Sequence, residues 1–121
     1  MQEWNKGLMA HLGIRIVEAT PERVVGELDV RDELKTTTAA VHGGTLMALA
    51  DTVGAVGTAA LGFKTATLES KTNFFAACTG GTIRAEATPL HKGKRSHVWQ
   101  TRVTDESGRL LSLTIQTQMI L

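Results

Sequence analysis

One segment constrains this chain more than any other. HGGTLMALADTVGAVGTAALG, residues 42–62, carries apolar residues nearly all round a helical wheel. A surface helix shows a polar face opposite its apolar stripe, and this one lacks it. It belongs inside the molecule, wrapped by other structure or pressed against a second copy. Gly62 suits the C-terminal cap. A membrane span is a poor alternative, because Gly54 and Gly57 break the apolar run and Asp51 puts a carboxylate inside it.

The flanking sequence reads as strands. Ile14–Ala19 and Arg23–Val30 precede the helix, joined by a turn at Thr20-Pro21-Glu22. In the second, Val24, Leu28 and Val30 alternate with Val25, Glu27 and Asp29. After the helix come Ala66–Ala77, Thr82–Thr88 and Ser96–Thr104. In the first of these, Thr67, Glu69, Lys71 and Asn73 are expected on one side, with Leu68 and Phe74 on the other. In the next, Ile83, Ala85 and Ala87 oppose Arg84, Glu86 and Thr88. The final strand places Leu111, Leu113, Ile115, Met119 and Leu121 on one face, against Ser112, Thr114, Gln116 and Gln118. A short helix is expected at Gln2–His11, with Trp4, Leu8 and His11 on one side.

The order is therefore β-β-α-β-β-β-β, with a loop at Arg31–Val41 before the helix. That order argues an α+β fold, an antiparallel sheet curled around one long central helix. Residues 1–121 read as a single domain. One flank of the helix stays open, and a second subunit would close it.

Composition removes several classes of function. Net charge is +1, so bulk charge gives no pull toward nucleic acid or membrane. Cys78 is the only cysteine, which excludes an internal disulfide and a cysteine-based zinc site. His11, His91 and His97 lack metal-ligand spacing, so no metal is expected. No Gly-x-Ser-x-Gly elbow is present, which excludes a serine-triad hydrolase. The opening MQEWNKGLMAHLG lacks a basic stretch leading into an apolar run, so a signal peptide is not expected and the protein reads as cytoplasmic.

The chemistry concentrates at the helix. His42-Gly43-Gly44 opens it, where the first backbone N–H groups lack intrahelical partners and carry the positive end of the dipole. Glycine lets a ligand oxygen approach that backbone, so the site suits an anion or a carbonyl that turns anionic during reaction. Asp51 lies in the apolar middle. It is either a working carboxylate or a buried Asp satisfied by nearby donors, such as Thr52 or a backbone N–H. Eight residues at ~1.5 Å rise put Gly43 and Asp51 roughly 12 Å apart along the axis. If both act on one carbonyl, two antiparallel helices must share the site, giving two sites per symmetric dimer.

Three stretches carry a family resemblance. They are His42-Gly43-Gly44 with Leu49-Ala50-Asp51; Glu69-Ser70-Lys71-Thr72-Asn73-Phe74; and Pro89–Gln100 running on to Asp105-Glu106-Ser107-Gly108-Arg109-Leu110. Together they resemble the hotdog-fold acyl-CoA thioesterases of the PaaI and 4-hydroxybenzoyl-CoA thioesterase type, closest to bacterial members acting on aryl-CoA substrates such as hydroxynaphthoyl-CoA. The resemblance implies hydrolysis of a thioester to free acid and CoA, with no cofactor beyond the CoA of the substrate. It implies Asp51 as general base or nucleophile, Gly43 as the N–H donor from the neighbouring subunit, and His42 shaping the thioester pocket. Gly44, Thr36 and Thr67 are implied around the substrate, Thr67 beside the attacking water.

Lys92, Lys94, Arg95 and Ser96, with Arg102 nearby, form a basic stretch. It reads as a solvated turn on its own and as a CoA-phosphate dock in the family context. A homodimer is required by the shared site, and a homotetramer is expected. Two departures stand out: Thr36 replaces a family Gln or Asn, and Ala55 replaces a Ser or Thr. Phe75-Ala76-Ala77 also lacks a basic residue common in relatives. A hotdog hydratase or dehydratase and a non-catalytic acyl-CoA sensor are the alternatives.

Overall fold

A computed structural model describes residues 6–121. Its elements are α1 (Gly7–Leu12), β1 (Arg15–Thr20), β2 (Arg23–Asp29), α2 (Gly43–Ala59), β3 (Thr65–Phe74), β4 (Thr82–Lys92), β5 (Ser96–Thr104) and β6 (Leu110–Ile120), with a 3₁₀ turn at Asp32–Leu34. One antiparallel sheet runs in the order β1-β2-β4-β5-β6-β3, and α2 packs on it, touching every strand. This is the hotdog fold that the family resemblance implies.

Helix and sheet meet closely because glycine lets them. A Cβ at Gly26 of β2 would run into the Val53 side chain, and one at Gly57 of α2 would run into the Trp99 indole. Around these contacts lies the core: Val24, Leu28, Leu49, Val53, Ile83, Ala85, Ala87, Trp99 and Val103, all fully buried. The helix is less covered along Met47, Ala48, Asp51, Thr52, Ala55 and Ala59. That open flank is the one the apolar wheel calls for. Gly62, with φ +89°, falls two residues beyond the observed cap, Ala60.

The sequence reading fails in three places, each for a physical reason. The N-terminal helix starts at Gly7, and Trp4 lies outside the described residues. Its inward residue is Leu12 with Met9 partly buried, whereas Leu8 and His11 are exposed. Arg31 sets this rotation by donating hydrogen bonds to the carbonyls of Leu12 and His11.

In β3 a bulge between Thr67 and Glu69 separates residues that strict alternation would put on one side. Thr67, Ser70, Thr72 and Phe74 pair with the inward Gln118, Gln116, Thr114 and Ser112 of β6, so they face the helix. Glu69, Lys71 and Asn73 face the other way. Bulges commonly re-aim a side chain next to a working site.

In β6 a register irregularity turns Leu111 into the core, away from Ile115 and Met119, which are 41% and 40% exposed. The inward set is the polar one: Ser112, Thr114, Gln116 and Gln118 are fully buried against the helix.

A polar cluster also closes the C-terminal end of α2. The Trp99 Nε1–H donates to Thr58 Oγ1 at 3.1 Å, and Thr58 Oγ1 lies 3.0 Å from His97 Nδ1. An indole only donates, so the Thr58 hydroxyl accepts from Trp99, and the direction of its bond to His97 follows the imidazole tautomer. Burial lowers the His97 pKa, and Lys92 and His91 push it the same way. The unfolded chain therefore binds a proton here more readily than the folded one. This contribution to stability is complete above the unfolded pKa of about 6.5 and is lost as pH falls from there through the folded value. Thermal midpoints of the wild type are expected to drop as pH falls below about 6.5, and to drop less in His97→Gln. Parallel curves for the two proteins would remove His97 as the source.

Candidate active site

The start of α2 is held by strand-like contacts before it. His42 N–H donates to Leu34 O at 2.9 Å, Val41 N–H to Cys78 O at 2.8 Å, and Thr45 Oγ1 to Leu34 O at 3.0 Å. His42 is the N-cap, and its Nδ1 accepts the Gly44 N–H at 2.7 Å. The Gly44 N–H is therefore already used within the chain. With Nδ1 accepting, the His42 proton sits on Nε2 and points a second donor away from the helix end. Among the described residues no acceptor meets the Gly43 N–H. Its Cα lies against the Phe74 ring, 3.2 Å from where a Cβ would sit, so only glycine fits without moving that ring.

Asp51 is half-buried on the open flank. Its Oδ1 accepts from Thr67 Oγ1 at 2.6 Å and from Gln116 Nε2 at 3.1 Å. The donors come from β3 and β6, and neither Thr52 nor a backbone N–H is among them within the described residues. Gln118 Nε2 donates in turn to Thr67 Oγ1 at 2.7 Å, and Thr65 Oγ1 donates to Gln118 Oε1 at 2.8 Å. Among the described residues no donor reaches Oδ2. Two clefts flank the carboxylate. One of about 350 Å³ is lined by Leu8, Met47, Ala48, Thr67 and Ser70, the other of about 290 Å³ by Met9, Ala55, Val56, Ala59 and Thr65.

Sequence reasoning singled out Thr67 and missed Gln116, Gln118 and Ser70. Ser70 lay in a quoted motif; the two glutamines lay on the face opposite the apolar residues of β6. The other expected residues are dispersed. The Thr36 hydroxyl lies 2.7 Å from that of Thr38, inside the loop before α2, where Ala39 has φ +75°. Lys92 pairs with Glu22 at 3.1 Å, an acid distant in sequence. Lys94 and Arg95 lie in the β4–β5 turn beside Ser96, beyond the C-terminal end of α2. Arg102 instead sits on the outer face of the sheet opposite Glu86, so the four cations do not form one patch. Among the described residues, Lys94, Arg95 and Arg102 make no ion pair and no His, Cys, Asp and Glu cluster is placed to hold a metal. No helix among the described residues is long and apolar enough to cross a membrane.

Known proteins resemble this chain over most of its length. A 1,4-dihydroxy-2-naphthoyl-CoA hydrolase of Listeria monocytogenes is 30% identical, over 89% of this chain and 90% of that protein. Its namesake in Escherichia coli is 31% identical, over 92% and 79%. A solved mutant of a thioesterase from Staphylococcus aureus superposes with a TM-score of 0.91 at 27% identity, covering 93% of this chain and 97% of that one. The family model for the thioesterase superfamily matches residues 39–112, the stretch from the loop before α2 into β6. The chain belongs to the thioesterase superfamily and is a thioester hydrolase.

Proposed function

We propose that the protein hydrolyses an acyl-CoA, most suitably an aryl-CoA, to the free acid and CoA at a site shared by two subunits. The observation that carries this reading is Asp51, held by one oxygen with the other open between two apolar clefts. The Gly43 N–H and His42 Nε2–H polarise the thioester carbonyl, and Asp51 activates water or attacks the carbonyl itself. Thr67 holds the carboxylate from its Oδ1 side. Lys94 and Arg95 are left to meet CoA phosphate. The relatives named as dihydroxynaphthoyl-CoA hydrolases support an aromatic acyl group.

The sheet supports the shared site. β3 is a ten-residue edge strand with no neighbour beyond it among the described residues, an edge that invites pairing. Asp51 lies over Thr67, and Gly43 lies against Phe74. A two-fold antiparallel pairing of β3 with its copy, setting Thr67 opposite the second Phe74, brings Asp51 beside the second Gly43. Counting the bulge, that pairing centres on Lys71. The two helices then lie antiparallel and cover each other's open flanks. The outward Ile115 and Met119 form an apolar patch suited to joining two such dimers into a tetramer.

The test is release of free thiol from a panel of aryl- and alkyl-CoA thioesters. Turnover, fastest on aromatic acyl groups, is the expected result. Tight binding of CoA esters without turnover would replace this reading with that of a sensor.

A further inference from the structure

We infer that Gln116 is a positioning residue: it binds Asp51 through Oδ1 and leaves Oδ2 as the one oxygen that works on the substrate. The inference rests on the thioester-hydrolase reading of the Asp51 site and adds to it how the carboxylate is oriented.

The hydrogen bonds have a direction fixed by chemistry. A carboxylate only accepts, so the single Thr67 proton goes to Asp51 Oδ1. Thr67 Oγ1 must then accept from its other neighbour, and Gln118 Nε2 supplies that bond. Gln118 Oε1 faces Thr65, which donates to it. Gln116 is fixed in the same way, because its Nε2 faces two acceptors, Asp51 Oδ1 at 3.1 Å and Asp51 O at 3.3 Å. Its Oε1 must point the opposite way. There it is buried with no hydrogen-bond partner, lying against Gly54. A Cβ at position 54 would sit 2.5 Å from that oxygen, so glycine is what admits the carboxamide under the helix.

A buried carbonyl oxygen left without a partner destabilises a fold. Gln116 is fully buried, and an apolar side chain of its size would remove that defect. Stability alone does not account for a carboxamide here. What Gln116 supplies is a donor on Oδ1, the same oxygen that Thr67 bonds. Two donors on one oxygen lock the rotation of the carboxylate and turn Oδ2 toward the clefts. Gln118 acts one step further away, by fixing which way the Thr67 hydroxyl points.

The experiment compares the intact wild type with Gln116→Met, which keeps volume and removes both polar atoms, and with Gln118→Met. Turnover and thermal midpoint are measured for each on the best thioester substrate of the wild type. For Gln116→Met we expect kcat to fall roughly 10- to 100-fold, with KM little changed and the midpoint equal to or above that of the wild type. Gln118→Met should lose less, in the same direction. A midpoint that falls together with kcat makes Gln116 a structural residue and overturns the inference, as does wild-type kcat in both variants. A wild type inactive on every thioester removes the functional reading itself, and this inference with it.

Discussion

Asp51→Asn is expected to lower kcat by about 10²- to 10⁴-fold, the range over which a general base contributes, while leaving the fold intact. The two effects separate because of the donors around the side chain. Thr67 and Gln116 both give protons to Oδ1, so the Asn carbonyl oxygen takes that place and keeps both bonds. The Asn amide nitrogen then stands where Oδ2 was. It neither accepts a proton from water nor attacks a carbonyl, so the reaction loses its working atom with almost no change in packing. Thiol release and a thermal melt on the same preparation check this. Wild-type turnover in the variant would remove Asp51 from the mechanism.

Gly43→Pro should be nearly as severe, at about 10²- to 10³-fold in kcat, the loss seen when one donor to a developing oxyanion is removed. Proline is well suited to the first position of a helix, where its missing N–H breaks no intrahelical bond. His42 already has the extended backbone, φ −65° and ψ 137°, that a residue before proline adopts. The substitution therefore removes the donor and spares the helix. Any side chain here displaces the Phe74 ring, 3.2 Å from the Cβ position, so Gly43→Ala is the control for that displacement alone. Alanine keeps the N–H and should keep most of the activity. Equal loss in Ala and Pro would assign the effect to Phe74.

The long apolar helix was legible because no other placement of such a wheel avoids exposing it. Asp51 was legible for the matching reason, as the one charge in an apolar run. The polar partners of Asp51 were hidden. In β6 the alternation is plain, but the rule that apolar residues point inward selects the wrong face. Gln116 and Gln118 face the helix because the carboxylate there needs donors, a demand made by another element and invisible within the strand. The bulge in β3 is the same kind of omission. Nothing in Thr67-Leu68-Glu69 marks the inserted residue, yet it turns Thr67 toward Asp51 and Glu69 away. The fold also divides the basic stretch. Lys92 forms an ion pair with Glu22, and the strand pairing carries Arg102 to the outer face opposite Glu86.

The shared site is tested most directly by mixing the two defects. Subunits carrying Asp51→Asn and subunits carrying Gly43→Pro, each with its own affinity tag, are co-expressed and purified through both tags. In a mixed dimer one site receives both defects, and the other receives an intact Asp51 from one subunit and an intact Gly43 from its partner. The account predicts about half the wild-type turnover per mixed dimer, as two-fold symmetry requires, although each variant alone is almost inactive. Mixed dimers as inactive as either parent would contradict it, and would place Asp51 and the carbonyl donor within a single subunit.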